Sequence, residues 1–524
     1  MDGAEVTVGT TAPPHRGLVA LVRTLFLCGC AVLLAAPAPA QCPDGTPPPC
    51  RGTRAVAAPS PNSVAVLYFD NRSRDSNDLY LADGITEEII TRLSGIERVT
   101  VRSRHLVRRY RGAALEDPAM VARALNVTYI VSGSIRRAGG RLRVSAELIR
   151  AAGGAQVWGQ QFDQAGDDVF AIQEAVAREV ATGIVGRLLP TERQTLAVRP
   201  TTSAAAYEAF LRGNFNLARR DSAGLLRAIQ EYETALRADP AYTDAVSRVA
   251  ITYGIAAGNG FGIGFPTDTV TARAMRNANE AVRRAANSSD AWLAMGLARL
   301  AAQPRTLAGV REALERAVAL DPTNAEPHHL LGFTLALLGQ DSAGIEQDRQ
   351  ALAIEPARPV TLMHLAQFAV KTGRYAEARR WVDSALVVDR EFFSARGYLV
   401  VLLLASGDTS AARAEVARWR DLPPLRVFAV FAEQALSSHA LDSARARQWS
   451  AEMRAVIPAE MPVSAASYIA LLAMLTSRDG EFVLDLLEAA RPRGAFVRYY
   501  MTFVAFDPIR SEPRFQRLFQ ETAP

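Results

Sequence analysis

Four short words lay a ruler along the second half of the chain. LRADP ends at Pro240, VALDP at Pro322 and LAIEP at Pro356, and LVVDR puts Arg390 at the next equivalent place. The last three positions stand 34 residues apart. A fixed period of that length marks a supersecondary unit that cannot bury its apolar side alone and must stack on copies of itself. It predicts a run of helix pairs, most of them ended by a proline. The interval from Pro240 to Pro322 holds two periods plus about 14 residues. That excess is read as a glycine-rich loop, GIAAGNGFGIGFPT (Gly254–Thr267), between the two helices of the second repeat.

A Leu-Gly or Leu-Ala pair, a tyrosine and small residues recur at fixed places within the period. Leu331, Gly332, Gly344 and Ala351 precede Pro356; Leu365, Ala366, Ala378 and Ala385 take the equivalent places in the next repeat, and Ala228, Tyr232 and Ala235 precede Pro240 in the first. Paired helices approach closely only where side chains are small. In period and small-residue pattern this segment resembles the tetratricopeptide (TPR) repeat over residues 203–420, although the aromatic positions of that family are mostly replaced. The resemblance implies an all-α TPR superhelical solenoid with a groove lined by the first helix of each repeat. Its groove positions fall on Trp292, Met295 and Arg299, then Glu326, His329 and Phe333, then Met363, Gln367 and Lys371. Residues 421–524 read as degenerate TPR-like helices closed by a C-terminal cap, FDPIRSEPRFQRLFQ.

Upstream the periodicity changes. SVAVLYF is a near-continuous apolar run, suited to a strand buried on both faces. Leu79, Ala82, Ile85, Ile89, Leu93 and Ile96 then recur at helical spacing, with Asn77 or Asp78 as the expected N-cap. RVTVRSR (Arg98–Arg104) alternates as a strand and DPAMVARALN (Asp117–Asn126) as a helix. Three further strands are separated by Gly139-Gly140 and Gly153-Gly154, and a long helix spans Asp168–Leu189. The expected order is β-α-β-α-β-β-β-α, an α/β domain over residues 62–190. The words SVAVLYFDNRS, LADGITEEIITRLSGI, VSGSIRRAGGRLRVSAELIRAAGGAQVWGQQFD and DVFAIQEAVAREVA resemble the TolB-like amino-terminal domain. That family commonly precedes tetratricopeptide repeats, and also occurs on nucleotide cyclases, Ser/Thr kinases and winged-helix regulators. The resemblance carries no catalytic residues.

The strand–loop–helix junction at Tyr68–Ile89 has the look of a phosphate or cation site. Its carboxylates Asp75, Asp78, Asp83, Glu87 and Glu88 satisfy the helix dipole and would repel phosphate. A calcium loop counted from Asp75 would need glycine and an acid where Tyr80 and Thr86 stand. The junction reads as a capped structural corner. The densest basic stretch, Arg102–Gly112, reads as a loop between strand and helix, or as a contact for an acidic partner or lipid headgroups. His328 and His329 are the only adjacent histidines; neighbours on a helix point about 100° apart and share no metal face. Walker, kinase, nucleophile-elbow and zinc-protease motifs are absent. No enzyme chemistry, cofactor or metal is expected.

Net charge is +5, almost all of it arginine interleaved with acids, and Lys371 is the sole lysine. This spread excludes the one-sided basic face of a nucleic-acid binder. All four cysteines, Cys28, Cys30, Cys42 and Cys50, lie near the N-terminus, which rules out a cysteine nucleophile in the body. TLFLCGCAVLLAA is an apolar run of 13 residues followed by Ala38-Pro39-Ala40. Residues 1–40 therefore read as a signal peptide, with the true start at or near Val22. An uncleaved anchor over residues 17–36 and a lipoprotein box at Leu27–Cys30 stand as alternatives. Residues 41–61 form a Pro-rich linker in which Cys42 and Cys50 could pair in an oxidising compartment.

The sequence thus points to an exported, non-enzymatic adaptor whose solenoid holds a protein or peptide, in the periplasm or anchored at the inner membrane. The alternative is a sensory component of a signalling system whose kinase, cyclase or DNA-binding output lies on another chain.

Overall fold

In the computed structural model the residues described are 58–108, 110–111, 118–139, 141–165, 169–259, 262–302, 307–421, scattered positions in 429–451, then 463–476, 479–490 and 494–523. The signal, anchor and lipidation readings, Cys42, Cys50 and nearly all of the linker lie outside them. Among the described residues no helix is long and apolar enough to cross a membrane.

Residues 63–165 carry a six-stranded mixed sheet: β1 (Ser63–Val66), β2 (Asp70–Asn71), β3 (Thr100–Val101), β4 (Tyr129–Ala138), β5 (Arg141–Arg150) and β6 (Ala155–Ala165), ordered β3-β1-β4-β5-β6 with β2 also on β4. β1 pairs in parallel with β3 and β4, whereas β4, β5 and β6 form an antiparallel meander. Ser63 to Phe69 are all buried, as their unbroken apolar run requires. Helices α1 (Leu79–Ser94), α2 (Pro118–Leu125) and α3 (Val169–Val185) complete this region, and Gly186 at φ 71° ends α3.

Several expected boundaries move. The strand expected over Arg98–Arg104 shrinks to Thr100–Val101, and Arg104–Arg108 is helical. Asp75, rather than Asn77 or Asp78, caps the corner by accepting from the Asn77 backbone N–H. Asp78 is buried against Arg137, 3.6 Å away. The Thr86 hydroxyl accepts from the Phe69 N–H at 3.0 Å and ties strand to helix. In the basic stretch, Arg102 donates to the Leu125 and Asn126 carbonyls, and Arg111 pairs with Asp83 at 2.6 Å. Part of that charge is therefore used internally.

After α4 (Pro190–Ala197) come six helix pairs. They are α5 (Ala204–Leu217) with α6 (Ser222–Ala238), α7 (Thr243–Asn259) with α8 (Thr267–Arg284), and α9 (Ser289–Ala301) with α10 (Ala308–Leu320). The series continues with α11 (Ala325–Leu337) and α12 (Asp341–Ile354), α13 (Pro359–Lys371) and α14 (Tyr375–Val388), and α15 (Phe393–Ala405) and α16 (Thr409–Arg418). This is a TPR-like helical repeat solenoid. Ala228, Tyr232, Ala235, Ala351, Ala378 and Ala385 are all fully buried at the helix crossings. The second repeat departs from expectation, because Gly254–Gly258 lie inside α7. Within that helix Gly254 lets Leu297 approach closely, since a Cβ there would stand 2.9 Å from it.

The first repeat is welded to the sheet region. Gly84 on α1 admits Leu211 of α5, Phe170 packs on Tyr207 with ring centroids 4.2 Å apart, and the Tyr207 hydroxyl donates to Gln173 at 3.0 Å. One apolar core runs from β1 to Tyr242 and Ala245. Beyond the sixth pair, α17 (Val463–Thr476) and α18 (Gly480–Ala489) form a further pair, followed by α19 (Ala495–Met501), a 3-10 turn (Val504–Ile509) and α20 (Pro513–Glu521).

A close crossing lies between α11 and α12, where a Cβ on Gly332 would lie 2.8 Å from the Gly344 carbonyl oxygen. Gly332→Ala should cost about 1–3 kcal/mol by overpacking. Gly258→Ala, in a helix with nothing near its missing Cβ, should be neutral or stabilising by up to about 1 kcal/mol. Urea unfolding midpoints of the two variants check the pair.

Candidate partner-binding face

The first helices of repeats four and five are α11 and α13. Their inner sides carry six of the residues that the repeat pattern assigns to a groove. The structure does not leave these sides open. α19 packs on α11, and the 3-10 turn at Val504–Ile509 packs on α13. Phe333 meets Phe496 with ring centroids 5.6 Å apart and Tyr499 at 6.5 Å. Gly373, just past α13, lies beside Val504. The chain's own residues 495–509 thus lie on the face expected to hold a partner.

Lys371 is buried at this junction and makes a bidentate pair with Asp341, at 2.7 and 2.9 Å. Its ammonium also stands 5.1 Å from the centre of the Tyr499 ring. Burial, then the nearby Tyr500, Asp341 and Asp348, push the Tyr499 hydroxyl well above its ordinary range. It stays protonated, and its oxygen has no hydrogen-bond partner.

Glu326 is the electrostatic hinge of this face. It pairs with Arg358 and lies 3.4 Å from Arg220, which belongs to the first repeat. Burial alone would raise the Glu326 carboxyl. The two guanidinium groups, Arg358 foremost, overcome that and hold it far below the usual carboxylate range. Arg358 is itself buried and takes a second carboxylate, Glu355, at 3.0 Å.

Between the helices sits a denser polar cluster. The close approach at Gly332 and Gly344 carries Asp348 of α12 into a fully buried position. His329 Nδ1 lies 3.2 Å from Asp348 Oδ1, and His364 Nδ1 lies 2.6 Å from Asp348 Oδ2. The second separation is short enough for a hydrogen bond but wrongly directed, leaving both His364 nitrogens and Asp348 Oδ2 without one. Burial pushes the His329 imidazole down. For Asp348 burial acts upward, and the two adjacent imidazoles, His364 foremost, outweigh it, so its carboxyl lies below the usual range. The adjacent His328 faces away, with its nitrogens against Gln347 and the Pro322 carbonyl.

The other groove positions divide. Met295 and Met363 are core residues, 4% and 2% exposed. Trp292, Arg299 and Gln367 are half-buried. Trp292 donates its indole N–H to the Ala286 carbonyl at 2.7 Å, and Arg299 donates to the Gly309 carbonyl at 2.6 Å. Sequence reasoning missed Asp348 and His364 as partners of His329. The signal was the ruler itself, because His329 and His364 stand one repeat and one residue apart.

Parts of the chain are similar to known proteins. Residues 60–179 match the family described as HilA/YgeH-like transcriptional regulator, second domain. A stretch of 193 residues is 32% identical to "Putative adenylate cyclase 3" of Rhizobium meliloti (strain 1021), covering 37% of this chain. The chain spans only 33% of that relative's length. Among solved structures, a thermophilic TPR protein of Thermus thermophilus is 22% identical over 38% of this chain and 100% of its own, with a TM-score of 0.33. Yeast Tom70 is 13% identical over 67% of this chain and 82% of its own, at 0.36. The repeat fold stated above rests on the helices themselves rather than on these likenesses.

Glu326→Gln should lower stability at pH 7 by about 1.5–3 kcal/mol, the value of hydrogen bonds to a charged group. The folded carboxyl is depressed, so its contribution is complete above the unfolded value near 4.3 and fades as pH falls below it. The gap between wild type and variant should therefore begin to narrow below about pH 4 and still be open at pH 3, closing only as pH falls through the lower folded value. Denaturant midpoints from pH 7 down to pH 3 check this sign.

Proposed function

We propose that the chain is a non-enzymatic adaptor that recruits a protein or peptide through its repeat solenoid. The carrying observation is the unbroken series of six helix pairs whose first helices keep Trp292, Arg299 and Gln367 half-open. Repeat arrays present extended surfaces of this kind to partners. The partner would meet repeats one to three and the edge of repeat five. The occupied part of repeats four and five would become available only if residues 495–509 moved aside. The motif words in residues 63–189 support reading the sheet region as a TolB-like module. The apolar run at residues 24–36 supports export to the periplasm, or anchoring there through residues 17–36.

A second reading has an observation of its own. The match to a transcriptional-regulator domain and the likeness to a cyclase-named protein favour a regulatory component whose output lies on another chain.

The test uses the full chain with its natural N-terminus, cross-linked in its native cells and recovered with what it holds. Trp292→Ala combined with Arg299→Ala serves as the comparison, after its thermal midpoint is matched to wild type. Aromatic and arginine anchors commonly carry 2 kcal/mol or more at an interface, so a discrete partner should fall by roughly thirtyfold or more. Equal retention by both forms contradicts the adaptor face. A partner bearing a cyclase, kinase or DNA-binding domain, held only under a stimulus, shifts the assignment to the second reading.

A further inference from the structure

The His329–Asp348–His364 cluster has more donors than its hydrogen bonds use. It lies on three successive helices, α11, α12 and α13, and so bridges the fourth and fifth repeats. Asp348 is fully buried and His364 is 3% exposed. A carboxylate with no access to water must be neutralised or fully hydrogen-bonded, because its desolvation costs several kcal/mol. Here Oδ1 accepts from His329, while Oδ2 lies 2.6 Å from His364 Nδ1, an ion-pair contact only if that ring is protonated and not one directed as a hydrogen bond. Both His364 nitrogens are buried without a hydrogen bond. One ligand atom from each residue lies within 4.8 Å of the others.

We infer that His329, Asp348 and His364 form a binding site for a divalent transition-metal ion that clips repeats four and five together. Two imidazoles and one carboxylate are a borderline N₂O donor set. It suits Zn²⁺, Co²⁺, Ni²⁺ or Cu²⁺ and not the all-oxygen preference of Mg²⁺ or Ca²⁺. Bonds of about 2.0–2.2 Å to one ion would require the three side chains to rotate from the positions they hold here. The dication would neutralise Asp348 and use the misdirected nitrogen and oxygen. Three protein ligands leave one coordination position for water or another donor.

The surroundings fit a structural clip. His364 is flanked by the rings of Phe368, at 4.7 Å between centroids, and Phe333, at 5.3 Å. His329 is the ligand with a path to solvent, at 13% side-chain exposure. The far nitrogen of His364 has no acceptor to orient it. Such a partner usually strengthens binding by about 10–100-fold, so the site should be weaker than a fully supported zinc centre. Because Phe333 touches both His364 and Phe496, the ion would also brace the surface on which residues 495–509 rest.

The inference stands apart from the adaptor reading and is tested on the full chain without a polyhistidine tag. Cys28, Cys30, Cys42 and Cys50 are replaced by serine, since thiols could bind the probe. The metal-free protein is titrated with Co²⁺ and Zn²⁺, following ligand-field absorption, calorimetry and the thermal midpoint. One ion per chain is expected, with a raised midpoint. Affinity should fall at least tenfold in His364→Gln and in the half-buried His329→Gln, while His328→Gln binds as wild type. Absence of stoichiometric binding overturns the site, as does binding undiminished in both cluster variants when circular dichroism shows them folded. The His329 variant keeps the test decisive if His364→Gln does not fold.

Discussion

The close crossing of paired helices at small residues is the constraint from which the rest of this structure follows. Gly332 against Gly344 brings two backbones together with no room for a Cβ. That approach sets the stacking of the fourth repeat and carries a full negative charge, Asp348, out of water. The two histidines beside it, His329 and His364, face the carboxylate that this burial strands. Elsewhere alanines play the same part, which is why the period survives although large anchor residues vary along the chain.

The solenoid is also covered at both ends. Its first repeat shares an apolar core with the sheet region through Tyr207, Leu211 and Tyr242. Arg220 of that repeat reaches across to Glu326 of the fourth. From the other end, residues 495–509 lie on the fourth and fifth repeats. The face that the repeat pattern assigns to a partner is thus divided. One part is half-open around Trp292 and Arg299, and the other is filled by the chain itself.

What could be read from the sequence was what has a period. The 34-residue spacing places the helix pairs, and the apolar run before Asp70 marks a strand buried on both sides. Features fixed by distant contacts could not be read in this way. Glycines at 254 and 258 suggest a loop, yet both lie in a helix, where the first packs against Leu297 of a later repeat. Asp78 resembles an N-cap but is claimed by Arg137, 59 residues further along the chain. The repeat pattern assigns Phe333 and Lys371 outward, because no local signal announces that a segment more than a hundred residues later returns to cover them. The His329–His364 pairing was within reach, since positions about one period apart become neighbours. Asp348 was not, because nothing in its own helix distinguishes it from a solvated acid.

The central claim is that residues 495–509 rest on the first helices of repeats four and five. Hydrogen–deuterium exchange of the intact chain, read peptide by peptide, tests it most directly. Amides in residues 497–506 and in α13 should exchange slowly and together, because burial between the two elements protects both. Fast exchange across residues 497–506 alongside a protected α13 would contradict it, and would mean that the repeat face is open in solution.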